Sequence, residues 1–125
     1  MNDDLSRFKD LYFETAKEQV LVLKDNLAEF TNTENKAITD KIFIAAHSIK
    51  GQSLMMGYER VGHAAKLIEK TFRNLKDGVI QKNEVNLNLI NNTVEKIGLW
   101  LDTHDAANLE PDLGEEISEL EKSLV

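Results

Sequence analysis

Cysteine is absent from this 125-residue chain, which excludes disulfide cross-links and thiolate metal sites together. A cysteine-free chain suits a reducing compartment, and the cytoplasm is the expected location. Proline occurs once and glycine six times; so few breakers favour long helices over a strand-and-turn design. No stretch approaches the roughly 18 consecutive apolar residues of a membrane span. Met1 is followed at once by the acidic "NDDL", with neither a basic nor an apolar region, so a secretory signal is not expected. Basic charge is also scarce: 15 Lys and Arg against 22 Asp and Glu leave a net charge of -7. That balance argues against nucleic-acid partners and favours other proteins. What remains is a chain with 42% hydrophobic and 30% charged residues, large enough to bury a core as a single domain over 1–125.

Apolar spacing predicts five helices. The first, about Asp4 to Phe30, carries Leu5, Phe8, Tyr12, Leu23, Leu27 and Phe30 at mostly three- and four-residue steps. "TNTEN" breaks it with several candidate N-caps. The second, about Glu34 to Met56, aligns Ile38, Ile42, Ala45, Ile49 and Met56, and Gly57 ends it. The third, about Tyr58 to Lys76, aligns Val61, Ala65, Ile68, Phe72 and Leu75 before "KDG". Asn83 is the expected N-cap of the fourth, whose Leu87, Ile90, Val94, Ile97 and Leu101 form the cleanest stripe. After "THDAANLEP" a shorter helix carries Leu113, Ile117, Leu120 and Leu124. Short loops then imply an all-α fold: an antiparallel up-down four-helix bundle with an additional C-terminal helix.

The second helix has two faces. At about 100° per residue, His47, Lys50, Gly51 and Leu54 fall with Phe43 inside an arc of roughly 100°. The core stripe lies on the other side, so His47 points outward. By itself a surface histidine among small neighbours means little. Gly51 changes that, because a mid-helix glycine costs about 1 kcal/mol relative to alanine and marks a place where something approaches the backbone. Beside the imidazole, Lys50 supplies a positive charge one turn away, a pairing that suits a phosphoryl group.

The run "HSIKGQSLMMG" resembles the signature of histidine phosphotransfer domains, with His47, Lys50, Gly51, Ser53 and Gly57 matching. The flanks "FETAKEQVLVLKDNL" and "LIEKTFRNLKDG" are similar to the N-terminal phosphotransfer domain of CheA-type chemotaxis kinases. The likeness is strongest from Ile44 to Gly78 and thin in the last two helices. It implies that Glu69, twenty-two residues after the histidine, accepts a hydrogen bond from the imidazole Nδ1–H and leaves Nε2 with a lone pair. Spacing agrees, since a hairpin turning at Gly57 and Tyr58 brings the rim of Gly62, Lys66, Glu69 and Arg73 alongside the second helix. The chain departs from the pattern at Lys66, where chemotaxis-type domains usually carry a second histidine, and at Gln52 and Leu54, where small residues are usual.

The resemblance implies a phosphoryl carrier rather than an enzyme with its own nucleotide site. His47 is the phosphoacceptor, Glu69 orients it, Lys50 offsets phosphoryl charge and Lys66 is an auxiliary. Phe43, Gly51 and Leu54 meet the partner. That partner is a histidine kinase catalytic domain, a response-regulator receiver domain, or both. ATP and Mg2+ are expected on those partners and no cofactor on this domain. The module stands at the front of a CheA-like kinase or is free-standing; the rival from another class is a helical adaptor that carries no phosphate. Elsewhere, His47, His63 and His104 lack metal-ligand spacing, so no metal is expected. His63 reads as a packing or rim residue, "IKGQS" lacks the features of a phosphate loop, Met56 reads as core with Met55 open, and Trp100 as packing. "EPDLGEEISELE" reads as a solvated face.

Overall fold

The computed structural model describes residues 2–33, 35–103 and 109–124. Five helices and one short 3-10 turn account for their regular structure: α1 (Asn2–Asn32), α2 (Lys36–Met55), α3 (Glu59–Lys76), the turn Lys82–Glu84, α4 (Leu87–Thr103) and α5 (Gly114–Ser123). The described residues contain no strand, and no helix among them is long and apolar enough to cross a membrane.

Local chemistry sets the helix ends. Asn35 opens α2, its Oδ1 accepting the Ile38 amide at 2.9 Å. At the other end Gly57 takes φ +84°, and the Tyr58 amide returns to the Ser53 carbonyl at 2.8 Å while the Gly57 amide returns to Leu54. This left-handed closure satisfies carbonyls that a straight continuation would leave unpaired. Gly78, at φ +75°, closes α3 in the same way, with the Val79 amide on the Asn74 carbonyl at 2.8 Å.

Side-chain pairs run in opposite order along α2 and α3. Leu54 lies over Gly62, Lys50 and His47 meet Glu69, and Asp40 meets Lys76 at 3.2 Å. The Gly62 approach is close: a Cβ there would stand 2.5 Å from Leu54 Cδ2. Behind this hairpin, Phe13, Leu23, Leu27 and Phe30 of α1 join Ile42, Ile49, Ile68, Phe72, Ile90 and Leu101 in one core, completed by Leu113 and Leu120 around α5.

The far end is sealed by aromatics. Trp100 packs on Tyr58 at 5.0 Å and on Phe13 at 5.2 Å between ring centroids, so Trp100 is the packing residue its sequence position suggested. Its Nε1–H donates to the Leu109 carbonyl at 2.6 Å. Next to it Glu110 accepts the Val61 amide at 3.0 Å, capping α3 from a distant loop where the N-cap residue Tyr58 offers no side-chain bond. Glu116 is buried and bound to Lys96 at 2.6 Å. The acidic segment is therefore not simply a solvated face: two of its carboxylates are structural.

Two further expectations are corrected. Asn83 does not cap α4. It sits inside the 3-10 turn, because Val85 is drawn into the core with extended backbone (φ -80°, ψ 122°), so the helix starts only at Leu87. Asn86 does the capping, its Oδ1 accepting the Leu89 amide at 3.1 Å. Leu5 and Phe8 are exposed rather than core. At 31 residues α1 outreaches the 20-residue α2. Met55 is exposed, and Met56 packs partly buried against the core. His63 is exposed on α3; Glu34 and His104 lie outside the described residues.

Candidate functional site

Because α2 buries Ile42, Ala45, Ala46 and Ile49, helical geometry turns His47 to the opposite side, and its side chain is 61% exposed. Its Nδ1 lies 2.7 Å from Glu69 Oε1. The carboxylate itself is buried, only 4% of its side chain reaching solvent. Lys50 Nζ is 2.7 Å from the other oxygen, Oε2, and the Arg73 guanidinium approaches Oε1 at 3.6 Å. One buried carboxylate thus gathers three cationic or donor groups.

Burial pushes the Glu69 carboxyl up, but the hydrogen bonds from Lys50 and His47 outweigh it and hold the group below its ordinary value. An ionised carboxylate only accepts hydrogen bonds. The imidazole nitrogen facing it must therefore carry the proton, which fixes the Nδ1–H tautomer of the neutral ring and leaves the Nε2 lone pair on the other edge. The carboxylate is buried and charged, and the ring is largely exposed.

Around this pair lies a partly apolar collar. Phe43 stacks against the imidazole with 6.3 Å between centroids and 19° between planes. Arg73 and Lys76 stand over the Phe43 ring at 5.3 Å and 5.5 Å. Leu54 is 48% exposed. Gly51 is exposed, and a Cβ added there would meet nothing within 4 Å. Internal packing therefore does not require glycine at that position.

The motif serine has a different task. Ser53 is fully buried, and its hydroxyl shares a 2.8 Å hydrogen bond with Tyr12. Burial pushes the Tyr12 hydroxyl far above its ordinary value. This bond ties α1 to α2 near the end of α2.

The structure links Phe43 to His47, His47 to Glu69 and Glu69 to Lys50, with Gly51 and Leu54 exposed on α2. Lys66 is exposed and makes no ion pair with a described residue. Arg73 is the member that sequence reasoning placed on the rim without giving it a part. Its spacing, one turn after Glu69, was the available signal. Among the described residues no group of three or more His, Asp or Glu side chains is arranged to hold a metal ion.

A family model described as the Hpt domain matches residues 7–123. The chain belongs to the Hpt domain family. Curated relatives include the chemotaxis protein CheA of Borreliella burgdorferi, 27% identical over 88 residues, covering 70% of this chain and 10% of that protein. CheA of Bacillus subtilis is 30% identical over 77 residues, covering 60% of this chain and 11% of its own length. CheA of Listeria monocytogenes is 29% identical over 76 residues, with 60% and 12% covered. The Hpt chain thus spans about a tenth of the length of the curated relatives it matches. No solved structure matches it. A histidine phosphotransfer module has one chemical requirement above all, an accessible nucleophilic imidazole.

Proposed function

We propose that residues 1–125 form a single phosphotransfer domain that accepts a phosphoryl group on His47 and passes it to an aspartate of a response-regulator receiver domain, as part of a CheA-like kinase in the cytoplasm. Its scaffold is an antiparallel up-down bundle of α1 to α4 with α5 as the added helix. The observation that carries this reading is the outward imidazole with Nδ1 held by a buried, ionised Glu69. The CheA relatives support the kinase context.

In the forward step Nε2 attacks the phosphorus of the donor. An N–P bond forms as the P–O bond to the donor breaks, and the donor oxygen leaves as carboxylate from a phosphoaspartate or as ADP from ATP. The ring becomes cationic while Nδ1 keeps its proton toward Glu69, which stabilises that charge. Lys50, held across Glu69, offsets the incoming phosphoryl charge from one turn away, and Lys66 is an auxiliary cation on the neighbouring helix. The leaving imidazole keeps the N–P bond labile toward an aspartate, so the domain carries rather than consumes the group. ATP and Mg2+ belong to the partner domains. Phe43, Gly51 and Leu54 supply the docking area: an aromatic, an open stretch of backbone and an exposed leucine.

The test is labelling with a kinase plus ATP, or with a receiver domain charged by acetyl phosphate. The expected label is acid-labile and absent in His47→Gln. Label that persists in that variant moves the site elsewhere; no label from any donor supports the adaptor.

A further inference from the structure

Charge on this molecule is unevenly placed. The chain is acidic overall, yet α3 holds five of its 15 Lys and Arg residues and only two of its 22 Asp and Glu residues. One of those two acids, Glu69, is buried under His47 and Lys50. The other, Glu59, is exposed in the first turn, and from Lys66 onward the exposed charges of α3 are all cationic. Lys66, Lys70 and Arg73, at steps of four and three, share one exposed helix face. Lys66 and Lys70 form no ion pair with a described residue, and Arg73 keeps 57% of its side chain exposed while it leans on Glu69.

This row ends at the reacting group. Arg73 is 3.6 Å from the carboxylate oxygen that holds His47 Nδ1 and stands over Phe43, which stacks on the imidazole. From Lys66 to Arg73 the row runs about 10 Å along the helix. A partner seated on His47 therefore cannot avoid its field.

We propose that the outer face of α3, Lys66 through Lys70 to Arg73, is an electrostatic docking ridge for the acidic face of a receiver domain. This rests on the reading of His47 as phosphoacceptor. The partner follows from charge complementarity. An aspartate that takes up phosphate with Mg2+ is expected beside a further carboxylate, because that hard cation is held by one or two carboxylates together with water and phosphate oxygens. Such a face is attracted by a cationic ridge and repelled by the acidic remainder of this chain, which fixes how it lands and raises the encounter rate.

The experiment measures the second-order rate of phosphoryl transfer between the intact protein and receiver domains from the same genome charged by acetyl phosphate, across a salt series. Loading by phosphoramidate, a small donor that needs no docking, serves as the control. Lys70→Glu is expected to slow receiver transfer about fivefold at low salt, with the deficit closing near 1 M salt and phosphoramidate loading unchanged. Lys66→Glu combined with Lys70→Glu deepens the loss. A receiver rate insensitive to salt and to Lys70→Glu overturns the ridge and leaves the carrier reading intact. The ridge is equally overturned if Lys70→Glu slows loading by a kinase with ATP while receiver transfer is untouched. If neither receivers nor phosphoramidate label His47, it is the carrier reading that falls.

Discussion

The α2–α3 seam and the α4–α5 junction each bury a glutamate against a lysine, and the two are used differently. Glu69 meets Lys50, His47 and Arg73, and one of those partners is an exposed imidazole. Glu116 meets Lys96 through one oxygen, while its other oxygen, Oε1, is buried with no hydrogen-bond partner among the described residues. Both carboxyls are held below their ordinary value, the first by hydrogen bonds that outweigh its burial, the second chiefly by Lys96. The same residue type in similar surroundings thus closes a joint in one place and sets a tautomer in the other. What separates them is whether a titratable ring with an open edge completes the set.

The larger loss of stability is expected at the end of the bundle where Trp100 of α4 meets α1 and Tyr58. Trp100→Ala empties the centre of the Tyr12, Phe13 and Tyr58 cluster and removes the bond to Leu109. A cost of about 3–5 kcal/mol is expected in urea denaturation, with His47 loading of the still-folded protein unchanged. A loss below about 1 kcal/mol, small for a core truncation, would show that this end of the bundle does not rest on its aromatics.

Exchanging the two carboxylates for amides sharpens the comparison directly. Glu69→Gln sets an amide against the Lys50 ammonium and weakens the hold on Nδ1–H. Loading by phosphoramidate should fall on the order of 10²-fold, whereas Glu116→Gln leaves it unchanged; both are read by phosphorus NMR. The two variants should resemble each other only in acid. Both groups share an ordinary value of 4.5 and are lowered from it in the fold. Their stabilisation is therefore complete above that value and is lost as pH falls through the lower, folded value. Each amide should flatten the acid limb of stability below about pH 4.5. Equal loading by both variants would mean that Glu69 is a structural carboxylate like its counterpart.

The contrast also explains what could be read from the sequence. The outward face of α2 follows from spacing along one helix; Glu69 is singled out by the family resemblance, and the short hairpin with its visible closing glycine agrees by placing the Glu69 rim alongside α2. Glu110 capping α3, Glu116 sinking against Lys96 and Leu54 lying over Gly62 each depend on a partner from another element. No local pattern records those choices. Asn83 and Asn86 are equivalent as letters; the burial of Val85 between them decides which one caps α4. The overhang of α1, which leaves Leu5 and Phe8 exposed, depends on the relative lengths of two helices, and the periodicity of α1 continues across it unchanged.

Two glycines give the smallest and most discriminating effect. Gly62 has an internal reason to be glycine, since a Cβ would collide with Leu54; Gly51 has none, since its Cβ would enter open space. On helix propensity alone, Gly51→Ala should stabilise the fold by about 0.5–1 kcal/mol. If the bare backbone there exists for a visiting surface, the same methyl should slow transfer to and from a receiver domain. A denaturation midpoint that rises while the bimolecular rate falls would locate the reason for Gly51 outside the molecule. A midpoint that rises with the rate unchanged would remove Gly51 from the docking area, leaving contact there to Phe43 and Leu54.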